Sequence, residues 1–230
     1  MNGDKKTQRK QSGFTLIEIA IVLVIIGLLL GGVLKGQELI NSAKVKNLGM
    51  DFKNIPVYIY GYQDKYRSLP GDDLNAATRF TGLAASIDAG DGNSVIGGAW
   101  DSIIPTDESV NFWQHVRLAQ LATGATVVTT TSETDPYFPL NASGGRIGVE
   151  SGSPLPPIVG LRGSFYICSK GILGKFVDQL DRQMDNGSTS TGAMMAYETS
   201  AVSGARSATN PPANTAAINE SASYTVCMGV

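Results

Sequence analysis

With 230 residues, 18 basic against 20 acidic side chains and a formal net charge of −2, the chain has room for one membrane anchor and one modest globular domain. The charge balance excludes wholesale nucleic-acid binding through a basic surface. Two cysteines and a single histidine exclude a CxxC redox pair and a zinc site, and leave an anchored enzyme only as a remote alternative.

The first thirteen residues are polar and carry Lys5, Lys6, Arg9 and Lys10. They are followed by GFTLIEIAIVLVIIGLLLGGVL, Gly13 to Leu34, an apolar run whose helix would span about 30 Å, the thickness of a bilayer's hydrocarbon core. It is longer than the apolar core of an ordinary signal peptide. The basic leader keeps the amino end cytoplasmic and sends the remainder of the chain outward. Gly27, Gly31 and Gly32 lower helix propensity but allow helices to pack closely.

Glu18 is the one acid in this run. A carboxylate in hydrocarbon costs roughly 2.5 to 3.5 kcal/mol even on the mildest insertion scale, so a positive partner is expected. No Lys or Arg lies between Phe14 and Leu34. The nearest candidate is an amino terminus created by cutting the chain before Phe14.

Gly13-Phe14-Thr15-Leu16-Ile17-Glu18, with its basic leader and apolar helix, resembles the processing signature of type IV prepilins and type II secretion pseudopilins. The resemblance implies cleavage after Gly13 by a prepilin peptidase, methylation of the new terminus at Phe14, and an assembly role for Glu18. It implies an α+β, pilin-like fold: a long amino-terminal helix, half anchor and half amphipathic, packed against an antiparallel β-sheet head. The implied function is that of a structural subunit, not an enzyme, polymerising through this helix into a type IV pilus-like filament. A minor tip pilin or adhesin, or a priming subunit of a pilus or secretion pseudopilus, is the alternative within the same architecture. The implied partners are the peptidase, the bacterial inner membrane and other pilins, as homo- or hetero-oligomer, with no nucleic acid. The head would be periplasmic before assembly and lie in an extracellular or periplasm-spanning filament afterwards. Many type IV pilins carry a proline in the anchor; this chain has none before Pro56.

The expected organisation is a leader at 1–13, a transmembrane or filament-core helix at 14–35, an amphipathic continuation at 36–66, and a head at 67–230. Leu48, Phe52, Ile55, Ile59, Tyr62 and Tyr66 recur at steps of four and three, the spacing of one helical face. Pro56 removes one backbone hydrogen bond and predicts a bend near Phe52. Ser68 to Asp73, SLPGDD, ends the helix, and Asp72 or Asp73 suits the start of a short helix at 74–80. Asp88-Ala89-Gly90-Asp91-Gly92-Asn93 groups oxygen ligands without the EF-hand spacing. Asp88, Asp91 and Asn93 are therefore candidates for calcium, with a plain turn as the alternative. No other cofactor is expected.

A helix is predicted over 107–122, with Phe112, Trp113, Val116 and Ala119 facing the core and His115 in a packing role. Residues 123–157 read as loop, with a short strand at 146–150. Better strands are 164–169, 223–228 and 193–197, rich in aromatic and β-branched residues. Residues 172–184 read as helical. Asp181 and Asp185 are further metal candidates, although capping and solvation account for them equally well. The small, polar stretch 199–217 reads as an exposed loop. Cys168 and Cys227 fall in the two best strands, on the oxidising side of the membrane, and a bridge between them is expected, with two buried thiols as the alternative.

Overall fold

The computed structural model describes residues 13, 15–82, 86–152, 155–201, 212–215 and 217–230. The basic leader and Phe14 lie outside the described residues, as does most of the stretch expected to form the exposed 199–217 loop. The chain divides into two units, Met1–Ser42 and Ala43–Val230. The fold is α+β, with a long amino-terminal helix and a four-stranded antiparallel sheet.

Helix α1 runs from Leu16 to Tyr66 and contains Pro56 without ending there. In the first unit its apolar side chains from Leu16 to Leu34 are exposed. In the second unit α1 buries Val45, Leu48, Gly49, Phe52, Ile55, Ile59 and Tyr62, the face set out by the four-and-three spacing. Fully burying a Leu, Ile or Phe side chain is worth about 1.5 to 3 kcal/mol. That exceeds the few tenths separating most helix propensities, so burial decides which face turns inward.

Helix α2, Ala76–Arg79, is a single turn. Helix α3, Glu108–Leu118, ends earlier than the pattern predicts. Gln120 takes a left-handed backbone conformation with φ of 63°. The Leu121 N–H donates to the Val116 carbonyl at 2.9 Å and the Gln120 N–H to the Arg117 carbonyl at 3.0 Å. These are the two bonds of a Schellman cap, here built without the usual glycine.

The head sheet has strand order β1-β2-β4-β3, all antiparallel, with β1 at Ile147–Glu150, β2 at Tyr166–Leu173, β3 at Met194–Glu198 and β4 at Ser223–Gly229. Helix α4, Gly174–Met184, follows β2 directly. Ile172 and Leu173 belong to β2, not to the helix predicted from 172. The pairing register of β2 shifts between Ser169 and Ile172, and Gly171 sits there at φ of 78°. This irregularity lets the strand resume after an interruption.

Alternate strand residues serve two cores, because side chains in a strand point to opposite faces. Ile147, Val149, Ile167, Met194, Ala196, Tyr224 and Val226 share a core with the buried face of α1 and with Phe176, Val177 and Leu180 of α4. Tyr166, Cys168, Met195, Tyr197 and Cys227 form a second core with Trp100, Ile158 and Leu161. Gly148 is needed for this second layer: a Cβ there would lie 1.9 Å from the Trp100 carbonyl oxygen. A disulfide joins Cys168 to Cys227, directly opposed residues on β2 and β4 with Cα atoms 4.1 Å apart.

Candidate functional site

The amino-terminal segment is built on a short reciprocal bond. The Thr15 backbone N–H and its hydroxyl donate to Glu18 Oε2 at 2.7 and 2.8 Å, and the Glu18 N–H donates to Thr15 Oγ1 at 3.4 Å. This is a capping box, in which a Thr and a Glu three residues on satisfy donors that the first helical turn leaves open. Glu18 is thus more than a charge awaiting a cation. The Thr15-x-x-Glu18 spacing is the signal that finds this role in the sequence, and the question of a counter-ion passes over it. Gly13 is exposed beside it, and Phe14 lies outside the described residues. The helix that follows is long and apolar enough to cross a membrane by length and composition.

The calcium candidates are not brought together as a set. Asp91 joins Asp72 and Glu108, with one oxygen from each lying within 4.8 Å of the others. Asp88 instead uses its backbone, its carbonyl meeting His115 Nε2 at 2.8 Å. Asn93 points its carbonyl oxygen at the Val95 N–H and donates its amide to Asp91 Oδ2.

Within the three-carboxylate cluster, all six oxygens accept from amide N–H groups. Asp72 takes those of Gly92, Asn93 and Ser94 at 2.6 to 3.0 Å. Glu108 takes those of Asp91 and Gly97, and Asp91 takes the backbone and side-chain amides of Asn93. Burial raises the Asp72 and Glu108 carboxyls above their usual range, and these hydrogen bonds work against that shift. The arrangement folds the 91–97 loop around Asp72, which explains why Asp72 does not cap α2. Asp73 does not cap it either: its Oδ1 accepts the Asn75 N–H at 3.0 Å in the turn before the helix, and Asn75, the N-cap residue, makes no side-chain capping bond.

Asp181 and Asp185 also make local bonds, although the buried Oδ2 of Asp181 has no hydrogen-bond partner among the described residues. Asp181 Oδ1 accepts the Gly187 N–H at 2.6 Å, and Asp185 Oδ2 accepts the Met194 N–H at 3.0 Å, so the pair closes the turn that leads from α4 into β3. Burial pushes the Asp181 carboxyl up, and the charges of Asp185 and Asp178 push in the same direction.

His115 is fully buried. Its Nδ1 accepts the Gly71 N–H at 2.9 Å, its Nε2 donates to the Asp88 carbonyl, and its ring stacks on Tyr62. The Tyr62 hydroxyl donates to Asp73 at 2.8 Å, and Asp73 pairs with Arg79 at 2.9 Å. The histidine therefore pins the turn after α1 in its neutral form.

Comparison with known proteins adds one finding to this geometry. No curated protein and no solved structure matches the chain. Residues 8–34 match the family model described as the prokaryotic N-terminal methylation motif, a stretch that includes Gly13, Phe14 and Glu18. In its amino-terminal segment, then, this chain bears the signature of type IV prepilins and pseudopilins, a family of processed structural subunits.

Proposed function

We propose that the chain is a filament subunit, cut after Gly13, methylated at Phe14 and assembled through α1. The observation that carries this reading is the methylation motif at residues 8–34 running directly into a helix whose apolar side chains from Leu16 to Leu34 are all exposed in the single chain. Such a surface calls for lipid before assembly and for sister helices after it. In the assembled bundle the Phe14 amine of one copy faces Glu18 of the next. Each charge alone would be costly in an apolar core, and together they favour one axial offset between copies. The working units are then the leader at 1–13, the core helix at 14–35, its amphipathic continuation at 36–66 and the head at 67–230, with Cys168–Cys227 bracing the head.

The test uses two substitutions at one position. Glu18→Ala removes both the cap and the charge. Glu18→Gln removes the charge but keeps an acceptor for Thr15, since glutamine also serves in a capping box. Both variants are expected to be processed and inserted normally, and both to lose about tenfold in filament yield, an effect of about 1.4 kcal/mol in assembly free energy. If Glu18→Gln assembles at the wild-type level, the helix cap is what assembly needs, and charge pairing is wrong.

A further inference from the structure

A cleft of about 610 Å³ lies beside the β1–β2 pair and the loop after α3, with Arg117, Arg146, Lys170, Glu133, Phe138 and Leu140 on its walls. Its size falls in the range of small-molecule sites. Both arginines are more than nine-tenths buried. Each is held by backbone carbonyls: Arg117 Nη1 donates to Ala125 at 2.6 Å, Arg146 Nη1 donates to Asp101 at 3.0 Å, and Arg146 Nη2 donates to Ser102. The guanidinium of Arg146 lies 3.6 Å from the centroid of the Phe138 ring, and that of Arg117 lies 4.9 Å from the centroid of Tyr137.

These contacts orient the two cations without neutralising them. Among the described residues neither guanidinium has a carboxylate within 4.0 Å, and the buried Nε–H of each has no acceptor. The acids on the cleft wall have closer partners than the arginines, although the charges of Glu133 and of Asp101 still reach Arg146. Glu133 pairs with Lys170 at 3.0 Å. Asp135 accepts from Thr129 and Thr130 through one oxygen and from the Tyr137 N–H through the other. Asp51 shares a smaller neighbouring cleft of about 140 Å³ with Arg117, and burial raises its carboxyl to about 6. A buried charge needs a counter-ion, and a guanidinium beside a carboxylate is the best-matched pair in shape and charge.

We propose that this cleft binds a small molecule through its carboxylate group, with Arg146 and Arg117 as the counter-ions and Lys170 at the rim. Two sources share that chemistry, a sugar acid and an apolar organic acid. All of these residues belong to the Ala43–Val230 unit, and binding here is independent of assembly through the amino-terminal segment.

The test is titration of the full-length mature protein, in non-ionic detergent, with glucuronate and with benzoate, read by calorimetry and tryptophan fluorescence. Glucose and benzyl alcohol are the uncharged controls. At least one acid is expected to saturate the site by about 10 mM, tenfold above an expected dissociation constant of about 1 mM, while both controls stay silent. The acid that binds identifies the source. Arg146→Gln should weaken binding at least tenfold. If that variant fails to fold, Lys170→Ala, at a half-exposed side chain, decides in its place, with a loss of about threefold expected. Absence of binding by both acids, equal binding of the controls, or unchanged affinity in the folded variant that decides would overturn the proposal.

Discussion

At the start of α1, Glu18 accepts two hydrogen bonds from Thr15 within a single chain, so its carboxylate is held in place before any second copy arrives. That orientation suits the pairing proposed for assembly, because an acceptor fixed in one rotamer loses less entropy on meeting a cation. His115 is the other residue whose surroundings set its chemistry. Burial lowers its pKa below the ordinary value, opposed by its bond to Asp88 and by the charges of Asp73 and Asp88. Its Nδ1 is committed to the Gly71 N–H and cannot take a proton without losing that bond. The unfolded chain, with an ordinary histidine, binds a proton near pH 6.5 before the folded one does. The stabilisation is therefore fully present above about pH 6.5 and is lost as pH falls toward the lowered folded value. Thermal unfolding at pH 7.5 and at pH 5 should show a fall of a few degrees at the lower pH that is absent in a His115→Gln variant; a profile that the substitution leaves unchanged would mean that the folded ring takes up its proton as readily as the unfolded one.

At the scale of elements, the disulfide can be judged against the strands that carry it. The two cysteines are 59 residues apart in sequence and directly opposed in the β2–β4 ladder. Closing a loop of that length restricts the unfolded chain by about 4 kcal/mol on the chain-entropy view. Replacing both cysteines by serine should therefore lower the unfolding free energy, read from denaturant titration, by an amount approaching that figure; a loss below about 1 kcal/mol would show that strand pairing alone closes the loop. The ends of elements were harder to read than their centres. The spacing of Ile172, Phe176 and Leu180 fits a helix, yet Ile172 pairs with Tyr224 in the sheet, because the step at Gly171 restores the ladder beyond it. α3 stops at Leu118 because Gln120 accepts a left-handed conformation, for which a glutamine gives no warning in sequence.

For the molecule as a whole, the amino-terminal segment was the most legible part. Its reading rests on local order alone: a basic leader, a glycine, a Thr-x-x-Glu step and an unbroken apolar run, matched by the methylation-motif model at residues 8–34. Mass analysis of the protein from cells that process it should find a chain beginning at Phe14 and bearing one added methyl group. A functional protein that retains its first thirteen residues would contradict the proposed processing. The buried face of α1 was also readable, because its 3.6-residue periodicity survives in the sequence whatever the chain packs against, while the α+β class came from the family resemblance and from segments rich in aromatic and β-branched residues. Tertiary structure alone decided the rest. It brought Asp91 to Asp72 and Glu108 from distant parts of the chain, while Asp88 turns its carbonyl to His115, and it set Arg117 and Arg146 on one cleft from separate elements. Periodicity reports which side of an element is buried, but which side chains meet across a core depends on strand order and loop paths, and those are settled only when distant segments compete for the same space.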